Sequence, residues 1–327
     1  MLHDLSLVWT PSTTATELTN TLAMSAELGY NVVALDHVYQ GAMPSTIASP
    51  LGGAIADATS SALATSSRRI PRILHRATVV ISDLAVNHRL SAVAAAYDIV
   101  AVRPTTEKAF QAACLNMAEP ALISLDLTSY FSFYFKHRAC MAAVRRGVHF
   151  EVCYGQALRA GDSSTAADAK NGGAARARAL FVANLAGLVR ATRGRGIVVS
   201  SGARSALDLR GPADVVNLLA VWGLAPDRGT EGMAALPRSI VANESLRRRG
   251  FRGVVDIVQS AGNADAKKQP STTADGKQQK PRQKQQQQQQ KQKQQQSNGD
   301  PRKRKADDGL GGGPQAKHQQ TKKIKKI

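Results

Sequence analysis

Residues 4–37 read DLSLVWTPSTTATELTNTLAMSAELGYNVVALDH, with two apolar runs on either side of a polar segment. The runs Leu5–Trp9 and Val32–Leu35 are short and almost wholly apolar, which predicts two buried β-strands. Between them, Thr14 and Glu17 have the spacing of a capping box, in which each side chain satisfies a backbone amide at the start of a helix. The stretch therefore predicts a strand–helix–strand unit.

The same alternation of apolar runs and helix-like stretches continues through Val199. Further strands are predicted at Thr78–Ile81, Ile99–Val102, Leu122–Leu125, Val148–Cys153 and Ile197–Val199. Most of these runs are continuously apolar, which is typical of parallel strands that are covered on both faces. Helices are predicted at Thr106–Met117 and Ala175–Arg190, and another begins at Pro212.

Seven predicted strands with intervening helices indicate an α/β fold. We expect a TIM-barrel-like architecture, a distorted β/α barrel. An open doubly wound sheet has the same alternation, and periodicity does not distinguish the two. Two stretches rich in small or polar residues, Pro44–Ser67 and Ala160–Gly173, are predicted to be a surface insertion and a mobile loop.

The composition of the chain changes once, after Asn263. Residues 1–263 form the predicted barrel domain, whereas residues 264–327 contain a Gln/Lys tract and scarcely a large apolar side chain before Leu310. A segment of this composition cannot offset its ordering entropy by burying apolar surface. We therefore expect a disordered C-terminal tail.

Both parts of the 327-residue chain are basic. The tail has 17 lysines and arginines against 5 acidic residues, and residues 1–263 have 26 against 19. An excess of this size favours a polyanionic partner, although it can also serve only solubility. The tail holds two clusters of nuclear-localisation type. Their basic residues are Arg302, Lys303, Arg304, Lys305, Lys322, Lys323, Lys325 and Lys326.

The composition also argues against several classes of protein. Three cysteines lie far apart without a CxxC pair, which disfavours a disulfide framework and a zinc ribbon. No run approaches the roughly 20 apolar residues that span a bilayer, and the amino terminus lacks the pattern of a secretory signal. We expect a cytosolic or nuclear protein without membrane contact.

Polar residues near strand ends raise the alternative of a metal-dependent phosphoesterase. The candidates are His3, Asp4, Asp36, His37, His149 and Glu151. Such residues at barrel strand ends can hold the divalent metals that activate water. The set is incomplete, because Asp126 is the only other acidic residue directly after a strand and the seventh strand ends in Ser200-Ser201. We therefore predict no catalytic residue, no bound metal and no cofactor, and interpret these side chains as hydrogen-bonded polar groups.

Basic residues support a more specific hypothesis. We predict contacts with RNA or a partner protein for Lys108, Lys136, Arg138, Arg204, Arg210, Arg247, Arg248, Arg249 and Arg252. Three consecutive arginines on a helix spread over a wide arc, so that some reach phosphate while others stay solvated. A merely solvated surface is the alternative. The aromatic residues within 130–135 are interpreted as core or a protein interface, with base stacking as the alternative.

Several motifs make the chain resemble the barrel-type protein subunit of ribonuclease P and ribonuclease MRP. They are DLSL at 4–7, LGYNVVALDH at 28–37, YDIVAVRPTTEK at 97–108, GVHFE at 147–151, SSGA at 200–203 and LRGPADVVNL at 209–218. These motifs occur in the order of the family, and the resemblance covers Asp4 to Val258.

This resemblance implies a TIM-barrel-like fold related to phosphoesterases of the polymerase-and-histidinol-phosphatase (PHP) type, without their full set of metal ligands. It implies a non-catalytic subunit of a ribonucleoprotein that removes the 5′ leader from precursor tRNA, and that processes ribosomal RNA in its MRP form. The implied partners are the ribonuclease P/MRP RNA, other protein subunits and, indirectly, precursor tRNA. The implied location is the nucleus and its nucleolus. An active phosphoesterase and a free-standing nuclear RNA-binding protein are the alternatives.

Deletion of residues 264–327 is expected to reduce nuclear accumulation, because both basic clusters are lost. The measurement is the nuclear-to-cytoplasmic fluorescence ratio of the tagged chain, with a deletion of residues 285–290 alone as the control. A fusion of residues 264–327 to a cytoplasmic fluorescent protein removes the contribution of import with partners. Failure of that fusion to enter the nucleus would contradict the prediction.

Overall fold

The computed structural model describes residues 1–41, 43–65, 70–86, 88–160 and 173–249. Seven strands in these residues form one parallel sheet in the order of the sequence. They are β1 (Leu2–Trp9), β2 (Tyr30–Tyr39), β3 (Arg72–Ile81), β4 (Ile99–Pro104), β5 (Leu122–Ser124), β6 (His149–Cys153) and β7 (Ile197–Ser200). All seven predicted strands are confirmed.

Helices follow the strands and cover the outside of the sheet. They are α1 (Ala15–Glu27), α2 (Leu51–Thr65), α3 (Leu90–Ala96), α4 (Glu107–Leu115), α5 (His137–Arg145), α6 (Gly155–Arg159), α7 (Gly173–Thr192), α8 (Pro212–Val221), α9 (Pro226–Met233) and α10 (Ala235–Arg249), with a 3-10 turn at Ala206–Asp208. The capping box of α1 is confirmed. The Thr14 amide donates to Glu17 Oε2 at 3.0 Å, and the Glu17 amide donates to Thr14 Oγ1 at 3.3 Å.

The sheet curves until its first strand meets the segment after its last. The Val8 amide donates to the Ala203 carbonyl at 2.8 Å, and Leu7 forms a parallel bridge with Ala203. The Ser201 hydroxyl donates to the Ser6 carbonyl at 3.1 Å. The sheet is therefore a nearly closed barrel and not an open doubly wound sheet. The TIM-barrel-like prediction is confirmed, with seven strands where a TIM barrel has eight.

Two apolar cores explain why the strands are apolar throughout. The inner core consists of Leu5, Val32, Ala34, Leu74, Ile99, Ala101, Ala121, Leu122, Val198 and Ile240. Ile240 belongs to α10, which covers one end of the barrel with Leu236 and Val241 packed beside it. The outer core lies between strands and helices and includes Leu35, Phe150 and Phe181. Successive residues of a strand point to opposite faces, so they enter the inner and the outer core in turn. Both faces of the strands are therefore buried.

The predicted surface insertion at Pro44–Ser67 is wrong for its second half, which forms α2. Leu51 and Ala58 of this helix are fully buried, and the Thr19 hydroxyl of α1 donates to the Ala58 carbonyl at 3.3 Å. Small side chains allow the two helices to approach closely, and they also weaken the apolar periodicity that would have revealed the helix.

Several predictions concern residues outside the described ranges. These are residues 161–172 of the predicted loop, Arg252, the tail 264–327 and the two nuclear-localisation clusters. The domain boundary after Asn263 therefore stays a prediction. Among the helices given above, none combines the length and apolar character needed to cross a bilayer.

Close packing of α9 on β7 leaves room only for glycine at position 232. A Cβ there would lie 2.5 Å from the Ile197 carbonyl oxygen and 3.2 Å from a methyl group of Val199. Because a backbone oxygen cannot move without disturbing the sheet, Gly232→Ala is expected to lower the free energy of unfolding by about 1–3 kcal/mol. Thermal melting measures the effect.

Gly53→Ala is the matched control, because a Cβ at this helical glycine meets no atom within 4 Å. This change should be neutral or should raise the free energy of unfolding by up to about 1 kcal/mol. Equal melting temperatures for the two variants would contradict the close approach.

Candidate functional site

The barrel interior becomes polar towards the carboxyl ends of the strands. The side chains at the inward positions there are Asp36, Arg76, Thr78, Arg103, Ser124, Glu151 and Ser200, and all but Arg103 are fully or almost fully buried. They follow the inner-core residues of the same strands at intervals of two, because alternate strand residues share a face.

Arg76 crosses this polar layer and is fully buried. Its Nη1 and Nη2 donate to the two carboxylate oxygens of Glu151, each at 2.5 Å. Its Nε lies 3.4 Å from Asp36 Oδ1, and Nη1 also donates to the Leu5 carbonyl. A bidentate arginine–carboxylate contact is the strongest form of this interaction. One guanidinium thus connects β3 with β1, β2 and β6.

Hydroxyl groups occupy the other sides of the two carboxylates. Asp36 accepts hydrogen bonds from Thr78 Oγ1 at 2.6 Å and from Ser6 Oγ at 3.3 Å. Glu151 accepts a further hydrogen bond from Ser200 Oγ at 2.7 Å. Both carboxylates are therefore engaged within the barrel.

The charges of this cluster stabilise one another. Burial alone would raise the pKa of Glu151, but the charge and hydrogen bonds of Arg76 outweigh burial and hold the pKa below its ordinary value. Burial would lower the pKa of Arg76, but Asp36 and Glu151 reverse this effect and raise it. A divalent metal would have to compete with the guanidinium for the same oxygens. Within the described ranges, no group of three or more His, Cys, Asp or Glu could hold a metal ion.

The histidines considered for a metal site do not join this cluster. His37 Nδ1 lies 2.9 Å from the Tyr97 hydroxyl. His3 and His149 are buried, and the Nδ1 atom of each has no hydrogen-bond partner among the residues that the structure describes. Burial lowers the pKa of both. The interpretation as hydrogen-bonded polar groups holds for Asp36, His37 and Glu151. It does not hold for Nδ1 of His3 and His149.

Asp4 is also buried within the barrel wall. Its Oδ1 accepts hydrogen bonds from the Ser201 amide at 2.9 Å and the Ser6 amide at 3.2 Å. Its Oδ2 is buried and receives no donor from the described part of the chain. Burial raises the pKa of Asp4 to about 6, against the opposing effect of the hydrogen bonds from Ser201. A carboxyl group with one buried oxygen that receives no hydrogen bond favours the protonated form below about pH 6.

Sequence reasoning missed Arg76. The third strand is predicted only from Thr78, whereas β3 begins at Arg72, so that Arg76 falls outside the predicted strand. The available signal is its register, because Arg76 shares a face with Leu74 and Thr78. A charged residue on the buried face of such a run indicates a buried partner.

Four predicted basic residues lie at one end of the barrel. Lys108, Lys136, Arg138 and Arg204 follow β4, β5 and β7, and segments that follow parallel barrel strands lie at its carboxyl-terminal end. All four are exposed. Lys136 Nζ lies 2.7 Å from Glu107 Oε1, but both side chains are largely solvated, so this pair contributes little stability.

Arg210 also follows β7 and is exposed. Its Nη1 donates to the carbonyls of Leu207 at 2.6 Å and Leu209 at 2.7 Å. Its backbone is fixed as well, because the Tyr30 hydroxyl donates to its carbonyl and its amide donates to the Tyr154 hydroxyl, both at 3.1 Å. Arg210 therefore stabilises the segment between β7 and α8 in which it lies.

Arg247 and Arg248 lie at the opposite end. Arg247 Nη1 donates to Glu244 Oε1 at 2.7 Å, and its Nη2 donates at 3.0 Å to the carbonyl of Ala118, before β5. Arg248 Nη2 donates to Glu244 Oε2 at 3.2 Å. Only the backbone of Arg249 is described, at the end of α10. The structure does not bring these arginines together with the cations at the carboxyl-terminal end.

The aromatic residues within 130–135 divide between core and surface. Phe131, Phe133 and Phe135 pack on one another and on Phe110, with several ring centroids 5.3–5.5 Å apart. Tyr130 and Tyr134 are 77% and 91% exposed. The core interpretation is confirmed for the phenylalanines only.

Comparison with known proteins points to one family. The family model described as RNase P subunit p30 matches residues 1–249. The chain is 31% identical to the probable ribonuclease P protein subunit 3 of Schizosaccharomyces pombe over 257 residues, which are 78% of this chain and 99% of that protein. It is also 31% identical to a ribonuclease P/MRP protein subunit of Saccharomyces cerevisiae over 194 residues, 59% of this chain and 61% of that protein.

A solved structure supports the fold. A chain in the cryo-EM structure of an archaeal ribonuclease P with mature tRNA aligns with a TM-score of 0.56 at 13% sequence identity. The alignment covers 80% of this chain and 100% of that chain. At this identity the likeness concerns the fold alone.

Asp4 is expected to make stability depend on pH. Its folded-state pKa of about 6 lies above the ordinary aspartate value of 3.8, so the folded protein binds this proton more tightly than the unfolded chain. This contribution is fully present below pH 3.8 and is lost as the pH rises through about 6. The loss corresponds to about 1 kcal/mol between roughly pH 5 and pH 7.5.

Asp4→Asn should remove this component while keeping an oxygen acceptor for the two amides. Denaturant unfolding at several pH values measures it, and the exposed Asp227→Asn is the control for loss of one charge. Parallel pH profiles for wild type and Asp4→Asn would contradict the prediction.

Proposed function

Because the chain belongs to the family of RNase P p30 subunits, we propose that it works as a protein subunit of the ribonuclease P/MRP ribonucleoprotein. In this role it supports removal of the 5′ leader from precursor tRNA and the processing of ribosomal RNA. The observation that carries the proposal is the family match, which extends over residues 1–249 and so includes every described strand and helix. The partners are the ribonuclease P/MRP RNA and other protein subunits, with precursor tRNA met indirectly.

The barrel acts as a scaffold and not as the catalyst. A phosphoesterase site would need free carboxylates at the carboxyl ends of the barrel strands to bind metal and activate water. Asp36 and Glu151, which are the buried acids there, are engaged by Arg76 and by three hydroxyl groups. This arrangement disfavours the phosphoesterase alternative.

RNA and partner proteins bind the barrel through two sets of basic residues. One set, at the carboxyl-terminal end, consists of Lys108, Lys136, Arg138, Arg204 and Arg210. The other consists of Arg247, Arg248 and Arg249 at the end of α10, together with Arg252, which lies outside the described residues. Their exposure supports the residues of the first set, because solvated cations can contact phosphates and displace the counterions that are bound to the RNA. Glu244 holds Arg247 and Arg248 in fixed positions, which lowers the entropy lost on binding.

The protein works in the nucleus, as its likeness to ribonuclease P/MRP subunits of eukaryotes indicates. Within the nucleus we place it in the nucleolus, where ribosomal RNA is processed. The basic clusters of the tail are suited to import, because they resemble nuclear-localisation signals.

The assembly is tested by purifying the tagged full-length chain from cells in which it replaces the native copy, and by sequencing the RNA that remains bound. We expect one abundant structured RNA, and an eluate that cleaves precursor tRNA at the 5′ end of the mature sequence. Nuclease digestion of that RNA should abolish cleavage, because the RNA component is the catalyst. Absence of a stable RNA, or cleavage that survives digestion, would overturn the proposed function.

Replacing Lys136, Arg138 and Arg204 by alanine is expected to weaken RNA binding without lowering the melting temperature, because all three side chains are exposed. Each lost phosphate contact should reduce the slope of log affinity against log salt concentration by about 0.7–0.9. Wild-type affinity and slope in a folded variant would show that these cations form only a solvated surface.

The contrasting variant combines Arg247→Ala with Arg248→Ala. It removes both ion-pair partners of Glu244, which is 6% exposed, so the melting temperature should fall. The expected loss is about 1–3 kcal/mol of unfolding free energy.

A further inference from the structure

A groove beside α7 lies next to Lys136 and Arg138 of the first set of basic residues, and His137 between them is one of its lining residues. It encloses about 590 Å3 between the segment that follows β5 and the helix α7. One wall consists of residues 130–135, and the other includes Leu180, Asn184, Gly187 and Arg190. The groove is therefore aromatic on one side and small or basic on the other.

Two tyrosines of the aromatic wall are open to solvent. Tyr130 and Tyr134 are 77% and 91% exposed, so neither side chain contributes much to the core. The neighbouring Phe131, Phe133 and Phe135 also line the groove and pack against one another. Exposed aromatic rings on a packed support offer flat faces for stacking.

Hydrogen bonds hold the wall in place. Asn184 of α7 donates from Nδ2 to the carbonyls of Leu127 at 2.8 Å and Ser129 at 3.0 Å. His137 Nδ1 lies 2.7 Å from the Ala191 carbonyl, which ties α5 to the end of α7. A surface that is already ordered loses less entropy when a ligand binds.

The charges around the groove favour a polyanion. The helices α5 and α7 beside the groove carry five arginines and no aspartate or glutamate. Glu107, which lies near Tyr134, is paired with Lys136. Arg190 lines the groove and is exposed, and no carboxylate in the described ranges lies within ion-pair distance of it. An RNA strand supplies both phosphates for these cations and bases for the tyrosines, a combination typical of single-strand binding sites.

We infer that this groove binds a single-stranded segment of RNA, with unpaired bases stacked on Tyr130 and Tyr134 and the phosphate backbone beside Arg190. A duplex does not suit the site, because its base faces are covered by stacking within the helix. The inference rests on the proposed function only for the source of the RNA. Docking of a protein on the tyrosines is the competing outcome, since tyrosine and arginine are also common at protein interfaces.

The test uses the purified full-length chain and an unstructured RNA of about 12 nucleotides that contains 2-aminopurine. Fluorescence anisotropy gives the affinity, and quenching of 2-aminopurine reports base stacking. Wild type is compared with the double variant Tyr130→Ala, Tyr134→Ala and with Tyr130→Phe, Tyr134→Phe, which keeps both rings. Val221→Ala, at a side chain 83% exposed on α8, is the control for loss of an exposed apolar group. A duplex RNA of the same length measures the sequence-independent contribution of the basic tail.

The alanine double variant should bind the single strand about 10- to 100-fold more weakly and should lose the quenching. Its duplex affinity should stay unchanged, and the phenylalanine variant should bind about as wild type does. Arg190→Ala should flatten the salt dependence of single-strand binding by about 0.7 in slope, whereas the tyrosine variants should not.

Wild-type single-strand affinity and quenching in the alanine variant would overturn the inference. Loss of partner subunits from the purified assembly together with unchanged RNA binding would overturn it in favour of a protein interface. Because the oligonucleotide assay needs no assembly, failure here is distinct from failure to recover a stable cellular RNA, which bears on the proposed function.

Discussion

The buried contact of Arg76 with Glu151 and Asp36 is the constraint on which the barrel interior depends. A barrel of seven strands has to be filled by side chains from its own wall, and its amino-terminal half is filled by aliphatic residues. In the other half, a guanidinium on β3 reaches β6, β2 and the backbone of β1. Removing one member would leave a buried charge without its partner, which typically costs about 3–5 kcal/mol. Four strands are therefore held in one register by a single polar group.

The contact with Arg76 also makes the inner carboxylates unsuited to metal binding. Carboxylates at the carboxyl ends of barrel strands are suited to metal binding when they are free, but here a fixed cation neutralises them from within. The proposed contacts with RNA and partner subunits are therefore assigned to the outer surface. Solvated cations follow β4, β5 and β7, and an aromatic groove lies beside α7. A nearly closed barrel with its inner carboxylates paired to Arg76, and with solvated cations outside, suits the proposed role of a protein that supports an RNA.

The sequence predicted the order of strands and helices well, because parallel strands buried on both faces leave continuous apolar runs. It failed where local composition hides the outcome. The helix α2 escaped because alanine, glycine and serine give weak periodicity, although Leu51 and Ala58 are fully buried. Arg76 escaped because a charged residue interrupts the run that marks β3. The cations were identified one by one, but no local pattern shows that Arg247 and Arg248 lie at the other end of the barrel from Arg204, since that depends on closure of the sheet. The alternation of buried phenylalanines and exposed tyrosines similarly depends on how residues 130–135 pack against Phe110 and α7.

The most direct test of this account is a double-mutant cycle for Arg76 and Glu151, measured by denaturant unfolding at neutral pH. The three variants are Arg76→Met, Glu151→Gln and their combination. We expect Arg76→Met alone to lower the free energy of unfolding by about 3–5 kcal/mol. The combined variant should lose less than the two single losses together, with a coupling energy of about 1–3 kcal/mol. Strictly additive and small losses would contradict the account, because they would show that the guanidinium and the carboxylate do not hold the barrel interior together.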